Sequence, residues 1–154
     1  MDTFINVLHI LATAVWIGGA SFVHFILKPA SRSIDPQQAG KPFGLVAKRF
    51  SKVAWGSIIV LLITGVMKTP EGEMFNTSSE LGMMLTIKHI LVIGVLIVGL
   101  TIGLYVVPRM HQATPKPGEA PSADFAEYQN KLNMLASVNL VLGVLVVVVA
   151  SMLW

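Results

Sequence analysis

The sequence predicts an all-α integral membrane protein in which four transmembrane helices form one bundle, as a single domain over residues 1–154. Of the 154 residues, 54% are hydrophobic and only 12% are charged, whereas soluble domains carry about 25% charged residues. The mean hydropathy is +0.72, and the apolar residues fall in four long blocks. Because so few charged residues cannot form the surface of a soluble protein of this size, we expect the apolar blocks to lie in lipid.

Each block is close to the length needed to cross a bilayer, which takes roughly 20 apolar residues at 1.5 Å per residue. The predicted spans are residues 4–27, 45–67, 83–107 and 133–154. The second span is short unless Lys48, Arg49 and Lys52 snorkel to the interface. Asp2 is the only charge before Lys28, so the first span lacks the positive start of a signal peptide and we expect it to be retained.

The distribution of Lys and Arg predicts that both termini face outward. Nine of the eleven cations lie in the segments that follow the first and third spans. They are Lys28, Arg32, Lys41, Lys48, Arg49, Lys52, Arg109, Lys116 and Lys131. Cytoplasmic segments carry the excess of Lys and Arg, so the protein is predicted to lie in the inner membrane of a bacterium or archaeon. Proline and glycine make residues 112–122 a predicted flexible cytoplasmic linker.

Two histidines inside predicted spans are the strongest indication of function. His9 and His89 each lie a few residues inside the outer end of a span, and an ionisable side chain at such a depth marks a functional site by default. Because the two rings are predicted at the same depth, they can face each other in the bundle. Two facing imidazoles suit a haem iron or a soft metal ion.

The first span carries a stripe of candidate cofactor contacts, because residues three or four apart share a helix face. The stripe consists of His9, Thr13, Trp16, Ala20 and His24. Gly19, beside it, lacks side-chain bulk and so admits a neighbouring helix or a flat macrocycle. His24 and His111 are both predicted near the inner surface, where they form a candidate second metal site.

Several of these residues also have a purely structural interpretation. His9 can hydrogen-bond Asn139 or a carbonyl on a facing helix, as polar side chains do between membrane helices. His24 can snorkel beside Lys28. Trp16 and the glycines can serve helix packing alone.

The composition excludes several classes of function. The chain has no cysteine, which rules out disulfides, iron–sulfur clusters, thiolate zinc sites and cysteine nucleophiles. It contains no glycine-rich phosphate loop, zinc-protease motif or nucleophile elbow. The net charge of +3 is typical of membrane topology rather than of nucleic-acid binding.

Four stretches resemble the membrane domain of the CopD (copper-resistance D) family. They are residues 8–19, residues 49–54 with 64–65, residues 85–92 and residues 139–143. The resemblance covers nearly the whole chain and implies a membrane domain associated with copper uptake across the inner membrane. The opening Leu-His and Trp-x-Gly-Gly also resemble HemJ, which implies a b-type haem and electron transfer.

We therefore predict a membrane b-type haem protein with His9 and His89 as axial ligands. Bis-histidine ligation leaves no open position on the iron and favours electron transfer. The expected partner is a quinone or a redox protein. A haem-dependent membrane oxidoreductase activity is a further expectation. Thr13 or Asn139 would supply hydrogen bonds that orient the ligands, and Lys88 would meet a propionate or anchor its helix. One haem b is predicted, or two if the inner pair of histidines binds another.

Two other functions stay open. The first is copper binding or transport, since thioether and imidazole ligands together favour copper(I), although methionine is also a common apolar filler. Its ligands would be His9, His89, Met83 and Met84. The second is a cofactor-free scaffold subunit, in which the small-residue face at Gly99 and Gly103 mediates homo-oligomer formation.

Overall fold

The computed structural model describes residues 2–34, 36–115 and 119–153, in which the regular structure is helical. Four helical stretches are long and apolar enough to cross a membrane, which confirms the predicted all-α membrane fold class. They are Thr3–Ser31, Pro42–Lys68, Glu80–Gln112 and Ala123–Ser151. The protein is therefore a multi-pass membrane protein.

Each of the first and third stretches is interrupted by a five-residue π-helical segment. The elements up to the second long helix are α1 (Asp2–Phe22), a π segment (Val23–Leu27), α2 (Lys28–Arg32) and α3 (Pro36–Lys68). Those that follow are α4 (Glu80–Thr101), a second π segment (Ile102–Val106), α5 (Val107–Gln112) and α6 (Ala123–Ser151).

The chain divides after Asn76 into two compact units, and each unit is an antiparallel helical hairpin. In the first hairpin His9 lies against Thr64, and Gly19 lies against Phe50. Residue numbers therefore rise along α1 as they fall along α3, so the two helices are antiparallel. In the second hairpin Gly94 lies against Leu142, since a Cβ at Gly94 would stand 3.6 Å from Cδ1 of Leu142. Contacts between Tyr105 and Lys131 show the same opposed direction there.

The helices extend further than the predicted spans, and serine residues cap two of them outside the apolar blocks. The second begins at Pro36 rather than 45 and continues through Pro42. The fourth begins at Ala123 rather than 133, since the Ser122 hydroxyl accepts a hydrogen bond from the Phe125 N–H at 3.2 Å. Ser79 caps α4 in the same way. Residues 116–118 of the predicted linker, and Trp154, lie outside the described residues.

The two π segments share one local cause. In each, an N–H bonds the carbonyl five residues earlier, from Lys28 to Val23 and from Val107 to Ile102. A proline follows directly, Pro29 in one case and Pro108 in the other. Proline lacks an N–H and its ring collides with the carbonyl four residues earlier in an α-helix. The wider turn accommodates that collision without ending the helix.

Candidate metal centre

His9 is held by a side chain of the neighbouring helix in the first hairpin. Its ring nitrogen Nδ1 lies 2.7 Å from Oγ1 of Thr64, which is buried on α3. His9 itself is half-buried. Gly65 lies beside the same ring, since a Cβ there would stand 3.8 Å from Cε1 of His9, an ordinary van der Waals distance. The imidazole is therefore oriented by its hydrogen bond to Thr64 and packed against a residue without a side chain.

The hydrogen bonds around Thr64 select the tautomer of His9. The hydroxyl has one proton, and the Val60 carbonyl lies 2.7 Å from Oγ1. A carbonyl only accepts, so the hydroxyl proton goes to Val60 and the hydroxyl oxygen accepts from Nδ1–H of His9. The lone pair of the imidazole is then on Nε2. This is the arrangement of metal-binding histidines, in which one ring nitrogen donates to a fixed acceptor and the other is the ligand.

Thr13 hydrogen-bonds the main chain of its own helix, and its predicted role in orienting the ligands stays a prediction. Its hydroxyl donates to the His9 carbonyl at 2.8 Å, within α1. A threonine on a helix readily satisfies its hydroxyl on the carbonyl four residues earlier. The polar contact to the His9 ring comes from Thr64, which was noted in the sequence only within a stretch that resembles CopD. Thr64 is the one polar side chain between Ile58 and Met67, and that isolation in an apolar run was the available signal.

Trp16 is buried, and Gly19 belongs to the packing between α1 and α3. Trp16 is only 7% exposed and is part of the core. At Gly19 the space of a side chain is occupied by the ring of Phe50, whose Cδ2 atom lies 2.9 Å from where a Cβ would stand. At Gly18 a Cβ would meet nothing within 4 Å. The close approach predicted at Gly19 is therefore made by a helix, through an aromatic side chain.

A comparison with protein families identifies the chain. The model of the family described as "Copper resistance protein D" matches residues 44–153, which is well over half of the sequence. The chain belongs to the CopD family. No curated protein and no solved structure matches it.

The family match includes only part of the candidate centre of this CopD protein. Thr64, Lys88 and His89 fall inside the matched residues, whereas His9 precedes them. The resemblance to CopD in the sequence is thus confirmed over the second, third and fourth long helices. The resemblance to HemJ stays a prediction.

The remaining histidines of this CopD protein occupy different environments. His24 lies in the first π segment, half-buried, with its ring edge-on to Phe25 at 4.9 Å between centroids. His111 is exposed in the last turn of α5. His89 and Lys88 are both half-buried on α4. The pairing of His9 with His89, and that of His24 with His111, stay predictions.

The donors near the start of α4 are of mixed exposure. Met83 is half-exposed and Met84 is half-buried. Asn139 was also expected to hydrogen-bond a ligand or a neighbouring helix, but its amide oxygen is buried with no partner in the described part of the chain. In residues 2–34, 36–115 and 119–153, no three His, Asp or Glu side chains are close enough to hold a metal ion together. A metal bound here would use few imidazoles and would need softer donors.

Proposed function

We propose that this CopD-family protein is a copper-handling membrane protein that binds copper(I), with Nε2 of His9 as a ligand. The observation that carries the proposal is the hydrogen bond from Nδ1 of His9 to Thr64. It orients the ring and leaves the lone pair on Nε2, as metal ligation requires. Copper is the metal that the description of the family names.

The chemistry of the available donors fits copper(I). The chain offers no thiolate, since it has no cysteine, but it has eight methionines and four histidines. Imidazole and thioether are ligands that a soft cation accepts, whereas Mg²⁺ and Ca²⁺ require several oxygens. No cluster of carboxylates competes in the described residues. We retain His89, Met83 and Met84 as proposed further donors.

Copper content tests this proposal directly. Protein purified after growth with copper and reduced in the absence of oxygen should contain copper in a fixed ratio to chain. His9→Gln should reduce that content to background, because the glutamine amide is a poor ligand for copper(I). A Met83→Leu/Met84→Leu variant should bind copper several-fold more weakly. Copper that is unchanged in His9→Gln, with both proteins eluting as folded material, would refute the assignment of His9.

A second candidate is haem b, with His9 and His89 as the axial ligands and electron transfer as the function. The same orientation of the His9 ring favours it, because an axial imidazole also binds through one nitrogen while the other is hydrogen-bonded. Lys88 would pair with a propionate. The preparation used for metal analysis separates the two candidates. A reduced-minus-oxidised spectrum of b-type haem that disappears in His9→Gln would replace copper with haem, and a quinone or redox protein would then be the partner.

We also propose that both termini face outward, so that His9 and His89 lie toward the outer surface. Since the chain has no cysteine, single cysteines report topology without background. A membrane-impermeant maleimide should label Thr77→Cys in intact cells and Ser33→Cys only after lysis. Both positions are exposed in the structure, so reactivity differs only through the side of the membrane. The reverse labelling pattern would mean that the termini lie inside.

A further inference from the structure

We propose that Tyr105, Arg109 and Lys131 bind the phosphate of an anionic phospholipid headgroup. The three side chains meet at one end of the second hairpin. The guanidinium carbon of Arg109 lies 3.9 Å from the centroid of the Tyr105 ring, and the ammonium of Lys131 lies 5.4 Å from the same centroid. One aromatic ring thus holds two cations that come from different helices.

The two cations of this cluster have no ion-pair partner among the described residues. There, Arg109 and Lys131 contact the tyrosine ring and form no ion pair with a carboxylate. Two like charges held near one ring repel each other unless an anion lies between or beside them. A phosphate group, which guanidinium and ammonium both bind with charge-assisted hydrogen bonds, meets that requirement.

The local structure directs the cluster outward and keeps it in place. Val106 is completely buried, so the rotation of the π segment about its axis is fixed. Its neighbour Tyr105 is 39% exposed and extends toward Lys131 on α6. Arg109 is exposed and Lys131 is half-buried. The site is therefore accessible from outside the hairpin, and the Tyr105 ring is held in place by its buried neighbour Val106.

An apolar surface of the length of an acyl chain ends one residue before Tyr105, which is turned by about 100° around the helix from that surface. Exposed aliphatic residues recur at steps of four, three and four along α4 and the π segment, which places them on one face. They are Ile93, Ile97, Leu100 and Leu104. Eleven residues at 1.5 Å span roughly 16 Å, about half of a 30 Å hydrocarbon core. A phospholipid whose tail lies along this face would have its phosphate at the level of Arg109.

This agreement of length and charge favours a lipid over a free phosphate ion. An ion needs only the cations, and it would gain nothing from the exposed aliphatic face. Basic residues at the membrane surface attract anionic lipids strongly enough that two of them give a preference of about tenfold or more over a neutral lipid. The proposal does not depend on the metal site proposed in the first hairpin.

Native mass spectrometry of the whole chain in detergent tests the site, with phosphatidylglycerol as the anionic lipid and phosphatidylcholine as the neutral one. The wild-type protein should bind phosphatidylglycerol about tenfold more tightly. Arg109→Gln/Lys131→Gln should lose that preference while binding phosphatidylcholine as before. Lys48→Gln/Lys52→Gln is the matched control, because it removes two exposed charges of the first hairpin and should retain the preference.

Three outcomes would overturn the proposal. The first is a preference that survives in Arg109→Gln/Lys131→Gln. The second is an equal loss in the control variant, which would mean that net charge alone sets the preference. The third is displacement of phosphatidylglycerol by inorganic phosphate at the same concentration, which would assign the cluster to a free anion. A melting temperature measured for each variant verifies that the fold is retained.

Discussion

Thr64→Val should weaken copper(I) binding by about 10- to 100-fold without removing any ligand. Valine has nearly the shape of threonine but lacks the oxygen that accepts Nδ1–H of His9, 2.7 Å away. The ring would then rotate and exchange tautomers, so the lone pair would be directed to the metal only part of the time. Loss of a hydrogen bond that orients a ligand typically costs this range of metal affinity. Competition with a coloured copper(I) chelator measures it.

Two variants separate this effect from a general loss of hydroxyl groups. Thr64→Ser retains the acceptor and should bind copper close to the wild-type level. Thr69→Val, five residues further along the chain, removes a hydroxyl whose hydrogen bond goes to the Gly65 carbonyl at 2.9 Å, and it should have no effect on copper. If Thr64→Val binds copper as tightly as wild type, Thr64 does not orient the ligand. If haem is the bound group, Thr64→Val should shift its spectrum, whereas Thr64→Ser and Thr69→Val should leave it as in the wild-type protein.

Gly19→Ala should destabilise the first hairpin by about 1–3 kcal/mol. The new methyl group would occupy space filled by the Phe50 ring, so the ring must turn or the two helices must separate, and such overpacking has this cost. Alanine favours a helix over glycine by about 1 kcal/mol, and this gain offsets part of the lost stability. The free energy of unfolding in mixed micelles of detergent and denaturant gives the measurement.

The neighbouring glycine provides the matched control. Gly18→Ala adds the same methyl group where nothing lies within 4 Å, so it should be neutral or slightly stabilising. Adding Phe50→Leu to Gly19→Ala should recover part of the lost stability, because the smaller side chain vacates the space. The double-mutant cycle then isolates the contact. Equal stabilities of Gly18→Ala and Gly19→Ala would show that the Phe50 ring does not pack tightly at this position in solution.

The candidate site could be predicted from the sequence only at its centre. His9 is conspicuous because an imidazole is costly in an apolar helix, and Gly19 is conspicuous because it lacks bulk. His9 was identified as a candidate ligand and Gly19 as a point of close approach. The partners were not, since Thr64 and Phe50 are distant in sequence from the residues they contact. The hydrogen bond of the Thr13 hydroxyl to the carbonyl four residues earlier in its own helix was not predicted either.

The ends of the helices could not be predicted from the apolar blocks alone. Hydropathy marks the part of a helix that lies in hydrocarbon, not the part that continues through polar residues. Ser122 starts α6 about ten residues before the predicted span, although serine followed by Asp124 is itself a helix-start signal. Pro29 and Pro108 were visible in the sequence, but the π turns that precede them depend on how the backbone accommodates each ring.

The sequence by itself determined the number and the approximate position of the membrane helices. Hydrocarbon admits only long apolar segments whose backbone groups are all hydrogen-bonded internally, so hydropathy and length suffice. The tertiary structure alone decided which side chains meet across a hairpin. Periodicity assigns a residue to a face of its own helix, but the axial offset and rotation of the neighbouring helix come from packing. That offset places Thr64 opposite His9 and so determines which ring nitrogen can bind a metal.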